Sequence, residues 1–107
     1  MPENQIVILC TVPDRGSGDR IAQALVDERL AACVNRVPGL VSTYRWEGRV
    51  QKADECLLLI KTTGARFEAV RERIKALHPY ELPEIVALPI TAGSPEYLNW
   101  ITENSQS

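Results

Sequence analysis

Histidine occurs once in these 107 residues, and that scarcity removes several chemistries at the outset. A helical HExxH metal site and a multi-histidine cage both need imidazoles that the chain lacks. Cysteine is nearly as sparse, with Cys10, Cys33 and Cys56 alone. An odd count at wide spacing is neither a disulfide framework nor a CxxC metal knuckle, which also excludes a CxxC metallochaperone. Positive charge is not in excess: 12 Lys and Arg stand against 14 Asp and Glu, with no basic stripe. A nucleic-acid partner is therefore not expected. Gly-rich phosphate loops and a GxSxG elbow are missing too, so an enzyme is not expected. No apolar run is long enough for a bilayer, and Met1 to Gln5 lacks the basic and apolar regions of a signal peptide. The expectation is a cytoplasmic protein with no membrane partner.

What is present suits one folded domain over residues 1–107, with 45% hydrophobic and 24% charged residues. Gln5 to Val12 is β-branched and apolar on both faces, which predicts a central strand. Pro13-Asp14-Arg15-Gly16 breaks it, and Ser17 or Asp19 can cap a helix running to about Leu30. Ala31 to Val37 predicts a second strand, which Pro38-Gly39 bends or bulges without ending the sheet. Beyond the bend, Leu40, Ser42, Tyr44 and Trp46 alternate with Val41, Thr43 and Arg45 up to a hairpin turn at Glu47-Gly48. The return strand runs from Arg49 to Thr62. Arg66 to Leu77 predicts a second helix and Glu84 to Ile90 a fourth strand. Ser94-Pro95-Glu96 marks a last helix, capped by the serine, with Tyr97, Trp100 and Ile101 as its apolar stripe. Residues 102–107 read as a frayed tail.

This order, β-α-β-β-α-β with an extra helix, predicts an α+β ferredoxin-like fold with both long helices on one sheet face. An antiparallel sheet with a wet face should alternate apolar and polar residues. Ile6–Val12 and Cys56–Ile60 do not. An uncovered apolar face normally marks contact with another chain, so sister copies are expected to cover it. Tyr44 and Trp46, at strand spacing on the hairpin, are interface candidates. A monomer with the last helix folded under the sheet is the rival arrangement. The absence of aromatics from the central strands argues against the base-stacking sheets of RNA-binding relatives of this fold.

The segment His78-Pro79-Tyr80-Glu81-Leu82-Pro83-Glu84-Ile85 gathers the lone histidine and two of the seven prolines. Pro79 ends the second helix by removing an amide and forcing His78 out of the α region. One proline suffices for that. A stiff loop that also carries an imidazole, a phenol and carboxylates points to a site.

Five groups of residues together resemble one family. They are Glu28-Arg29-Leu30-Ala31-Ala32-Cys33-Val34-Asn35; Pro38-Gly39 with Ser42, Tyr44 and Trp46-Glu47-Gly48; Glu55 with Ile60-Lys61-Thr62; His78-Pro79-Tyr80-Glu81 with Pro83-Glu84-Ile85; and Gly93 with Tyr97-Leu98 and Trp100-Ile101. Over nearly its whole length the chain is similar to the CutA family of divalent-cation tolerance proteins. The resemblance implies a homotrimer with the architecture of the nitrogen-regulatory PII proteins, and a role in tolerance of copper and other divalent metals. It further implies a metal site made from a first-strand cysteine and two adjacent histidines. Cys10 matches the cysteine and His78 the second histidine, but Leu77 replaces the first, leaving two soft donors per chain.

Thiolate and imidazole suit copper, so Cys10 and His78 are the candidate metal ligands. Each has a plainer reading, Cys10 as a small buried hydrophobe and His78 as a cap on a helix C-terminus. A second hypothesis is a PII-like signalling trimer that binds a small anionic metabolite between subunits, near Lys61, Tyr80 and Glu81. A third is a trimeric scaffold for other proteins.

Overall fold

The first strand sets the rest of the architecture. In a computed structural model, which describes residues 4–106, β1 (Gln5–Val12) lies inside a four-stranded antiparallel sheet of order β2-β3-β1-β4. The other strands are β2 (Cys33–Trp46), β3 (Arg49–Thr63) and β4 (Val86–Pro89). Helix α1 (Arg15–Asp27) follows β1. Helix α2 (Phe67–Leu77) follows β3 after a single 3₁₀ turn, and α3 (Pro95–Glu103) comes last. This is the expected ferredoxin-like α+β topology. The tip of the tail reading, Ser107, and most of the signal-peptide reading lie outside the described residues.

β1 and β3 are apolar on both sides, but their two faces have different fates. Ile6, Ile8, Cys10 and Val12 alternate inward with Cys56, Leu58 and Ile60 to meet Ile21 and Leu25 of α1 and Val70 and Ile74 of α2. The opposite face carries Val7, Leu9, Leu57 and Leu59, all half-buried. It continues onto Val37 of β2 and onto Val86 and Leu88 of β4, the last two 47% and 51% exposed. α3 crosses only one end of this open face. Gln5 donates from Nε2 to Thr102 Oγ1 at 2.9 Å, and Ile101 is fully buried.

Several boundaries differ from the sequence reading. α1 starts at Arg15, because Asp14 accepts a 2.7 Å hydrogen bond from Ser17 N and so takes the cap assigned to Ser17 or Asp19. It ends at Asp27, short of Leu30, where Arg29 turns into the left-handed region at φ 59°. Arg29 then donates to the carbonyls of Glu103 at 3.0 Å and Gln106 at 2.7 Å, so the segment read as frayed is pinned through Gln106. Ser94 stands at the start of α3 without capping it, its hydroxyl donating to Glu96 instead. Tyr97 and Trp100, assigned to core packing, are stacked on each other but remain about two-fifths exposed. The bulge at Pro38-Gly39 is present as a register shift between Val37 and Leu40, with Gly39 at φ 80°.

The Asp14 cap carries a pH signature. The Ser17 amide holds its carboxyl below the ordinary value of 3.8. A group with a depressed folded pKa contributes stability that is present above the unfolded value and lost as pH falls through the folded one. Asp14→Asn keeps a capping acceptor but cannot titrate. In urea titrations between about pH 5 and pH 2, the gap between wild type and this variant should change in the direction that costs the wild type as acid rises.

Candidate functional site

The loop after α2 is stiffened by its prolines and anchored by its histidine. His78 leaves the helix in extended conformation, at φ −76° and ψ 136°, as the residue before proline must. Its ring turns inward and is buried. Nδ1 accepts the Tyr80 amide at 3.0 Å, so the ring proton sits on Nε2, which donates to the Thr11 carbonyl at 2.8 Å. The imidazole thereby stitches the loop to the end of β1.

That anchor carries Tyr80 across the end of β1 toward the hairpin. Beyond Val12, β3 has lost its partner on that side, and β2 and β3 continue as a two-stranded arm. Tyr80 donates its hydroxyl to Glu55 Oε2 at 2.6 Å, closing the corner between loop and arm. Burial, followed by this bond and the charge of Glu55, raises the phenol's pKa above its ordinary value. The result is a cleft of about 590 Å³. Tyr44, Arg45 and Trp46 line it from the arm, Glu55 from the corner, and Tyr80, Glu81 and Glu84 from the loop. Tyr44 and Trp46, read as interface anchors, thus form a cleft wall beside the open sheet face.

Lys61 does not join Tyr80 and Glu81 within one chain. It hydrogen-bonds Asn35 and sits opposite Cys33, toward the far end of β3. At the rise of a strand this is on the order of 20 Å from Glu55. Only a second copy could bring it to a shared cleft.

The expected copper donors lie close together, both against the Thr11 carbonyl, the Cys10 thiol at 3.7 Å and His78 Nε2 at 2.8 Å, but each is engaged or buried. Cys10 is fully buried in the core beneath the helices. Burial, reinforced by the negative charges of Glu84 and Glu55, pushes its thiol up to about 12 from 9.0, so it is held as a thiol rather than the thiolate a metal takes. His78 has both ring nitrogens engaged by backbone. Leu77 packs against the core, where a donor would have to point outward. Among the described residues no three His, Cys, Asp or Glu side chains converge as metal ligands. As the chain is folded, Cys10 is a buried thiol and His78 has both ring nitrogens on backbone groups, so a metal at this pair would have to displace those contacts.

A sequence profile of the CutA1 divalent ion tolerance proteins matches residues 6–104. The chain belongs to this family. The CutA relative from Thermus thermophilus, named a divalent-cation tolerance protein, is 60% identical over 92% of this chain and 96% of its own. The chloroplastic CutA of Arabidopsis thaliana is 48% identical over 95% of the chain, which spans 56% of that protein. The crystal structure of CutA from Xylella fastidiosa superposes with a TM-score of 0.94 at 47% identity, covering 96% of this chain and 99% of that one. CutA membership supports a role in divalent-cation tolerance, and the family is named for tolerance, not for a reaction. No described helix is long and apolar enough to cross a membrane.

Glu55 was quoted in the family motif but not singled out as a site residue. Its signal was present: a carboxylate beside the apolar run Cys56–Ile60, on the face that carries Leu57 and Leu59.

The three thiols give a separate test of this geometry. Cys33, half-exposed at the start of β2, should react first with a thiol reagent in native protein. At pH 8 the raised pKa lowers the thiolate fraction of Cys10 on the order of a thousandfold. Peptide mapping after alkylation should find Cys10 and Cys56 modified only under denaturing conditions. Native labelling of Cys10 at the rate of Cys33 would contradict its burial.

Proposed function

We propose that this protein acts in divalent-cation tolerance as a cytoplasmic homotrimer, and that it does so as a binding protein and not an enzyme. Its working site is the Glu55–Tyr80 cleft. The observation that carries this reading is the position of that cleft, beside an apolar sheet face that a single chain leaves uncovered. A neighbouring copy that covers Leu57, Leu59 and Val86 also closes the cleft's open side. The resemblance to PII-like trimers supports three copies.

Copper or another divalent ion enters this reading at junctions between copies, because the described residues of one chain do not bring three such donors together. The size of the cleft favours the small-molecule version over a bare ion, since pockets for small organic ligands run to several hundred Å³. No particular observation favours the protein-scaffold alternative.

Sedimentation and copper calorimetry under reducing conditions test the reading together. The mass should be about three times 11.9 kDa. Any copper affinity should be unchanged in Cys10→Ser and His78→Gln, and its loss in both variants would return the site to those two residues. A species of 11.9 kDa at micromolar concentration would remove the trimer and the shared cleft with it.

A further inference from the structure

Glu55 poses an electrostatic problem that the fold of one chain does not solve. It is 8% exposed, and among the described residues its hydrogen-bond partner is Tyr80. The described ion pairs join Asp19 to Arg36, Glu68 to Arg71 and Glu28 to Arg73, and none involves Glu55. A carboxylate largely removed from water is normally matched by a cation, and one neutral donor substitutes for that only in part. The cleft that it lines has the same imbalance. Glu81 and Glu84 add two carboxylates against the single guanidinium of Arg45, which makes no ion pair with any of them among the described residues.

The walls narrow the partner further. A hard cation such as calcium asks for six or more converging oxygens, and the side chains here do not converge. Tyr44 and Trp46 instead present ring surface, 45% and 39% exposed, within the same cleft as the three acids. Aromatic faces with nearby carboxylates suit an organic cation, which gains from the ring quadrupole and from the fixed negative charge.

We infer that the cleft binds a small organic molecule through a protonated amine or quaternary ammonium group, held by Glu55 between the loop acids and the Tyr44–Trp46 wall. This rests on the cleft being the working site, and it names the ligand's chemistry there. Tyr80 serves as a positioning residue, fixing one Glu55 oxygen while the other faces the ligand.

Titration calorimetry and thermal shift on the full chain test this with 1,4-diaminobutane, choline and benzylamine, against uncharged 1,4-butanediol and against zinc chloride. At least one ammonium probe should bind saturably and raise the melting temperature, and the diol should do neither. Glu55→Gln should weaken the ammonium probe about tenfold or more, while Tyr80→Phe, which keeps the carboxylate but frees its position, should weaken it less. Should Glu55→Gln fail to fold, the exposed Glu84→Gln and Trp46→Ala variants carry the test, each weakening the probe several-fold. Absence of binding by all three ammonium probes, equal binding of the diol, or full affinity in the foldable variants would each overturn the inference. So would a basic side chain of a second copy found paired with Glu55. A trimer that binds no ammonium probe removes this inference and leaves the functional reading standing, whereas a monomer removes the functional reading whatever the probes do.

Discussion

Leu59→Asp is expected to convert the proposed trimer into single chains of 11.9 kDa without unfolding them. Leu59 pairs with Leu9 on one side and Asn35 on the other, on the open face that α3 crosses at one end only. In an isolated chain the new carboxylate still reaches water from this half-buried position, so the cost to the fold is small, within about 0.5–1 kcal/mol. In an assembly that seals the face, every copy buries an unpaired charge, at several kcal/mol each. The difference falls wholly on association. Sedimentation should give the monomer mass across the micromolar range, while far-ultraviolet circular dichroism keeps the wild-type shape. An unchanged mass would mean that the seam lies elsewhere, and the cleft would lose its proposed second wall.

The same residue shows where the sequence was legible and where it stopped. Alternation fails over Cys56–Leu57–Leu58–Leu59–Ile60, which was enough to predict a central strand with two apolar faces and a missing cover. Apolar content alone does not say which of two adjacent leucines faces the helices, since that depends on the register with β1 and on the bulge at Pro38-Gly39. The helix start at Asp14 was missed for a related reason. Pro13 and Gly16 signal a break, and only the side chain's reach to Ser17 N reveals a cap inside it.

The site was half legible. Two prolines and a histidine marked the loop that borders the cleft, and Tyr80 and Glu81 line it. The sequence left His78 open between metal donor and helix cap, and it could not show that both ring nitrogens meet backbone groups. Lys61 lies toward the other end of its strand, so its expected place beside Tyr80 and Glu81 between subunits depends on a second copy. Glu55 went unremarked because its environment comes from a tyrosine 25 positions away in the chain.

Ile60→Ala separates the two faces of the same strand in the opposite sense. Ile60 is fully buried, with Ile8 beside it on β1 and Val34 on β2, under the two long helices. Truncating an isoleucine in such a place removes its transfer free energy and leaves a cavity that a twisted sheet closes poorly. The expected loss is about 2–5 kcal/mol, on the order of 10–20 °C in melting temperature for a domain of this size. Trimer formation adds to apparent stability by mass action, so both proteins must be melted at one protomer concentration. The variant should still sediment with the wild-type mass at low temperature, since the open face is untouched. Leu59→Ala, one residue away, should lower the melting temperature less and in a concentration-dependent way, because in the proposed assembly its contacts lie between copies. If the two alanine variants melted alike at every concentration, Leu59 and Ile60 would share one core, and the sheet would have no open face to explain.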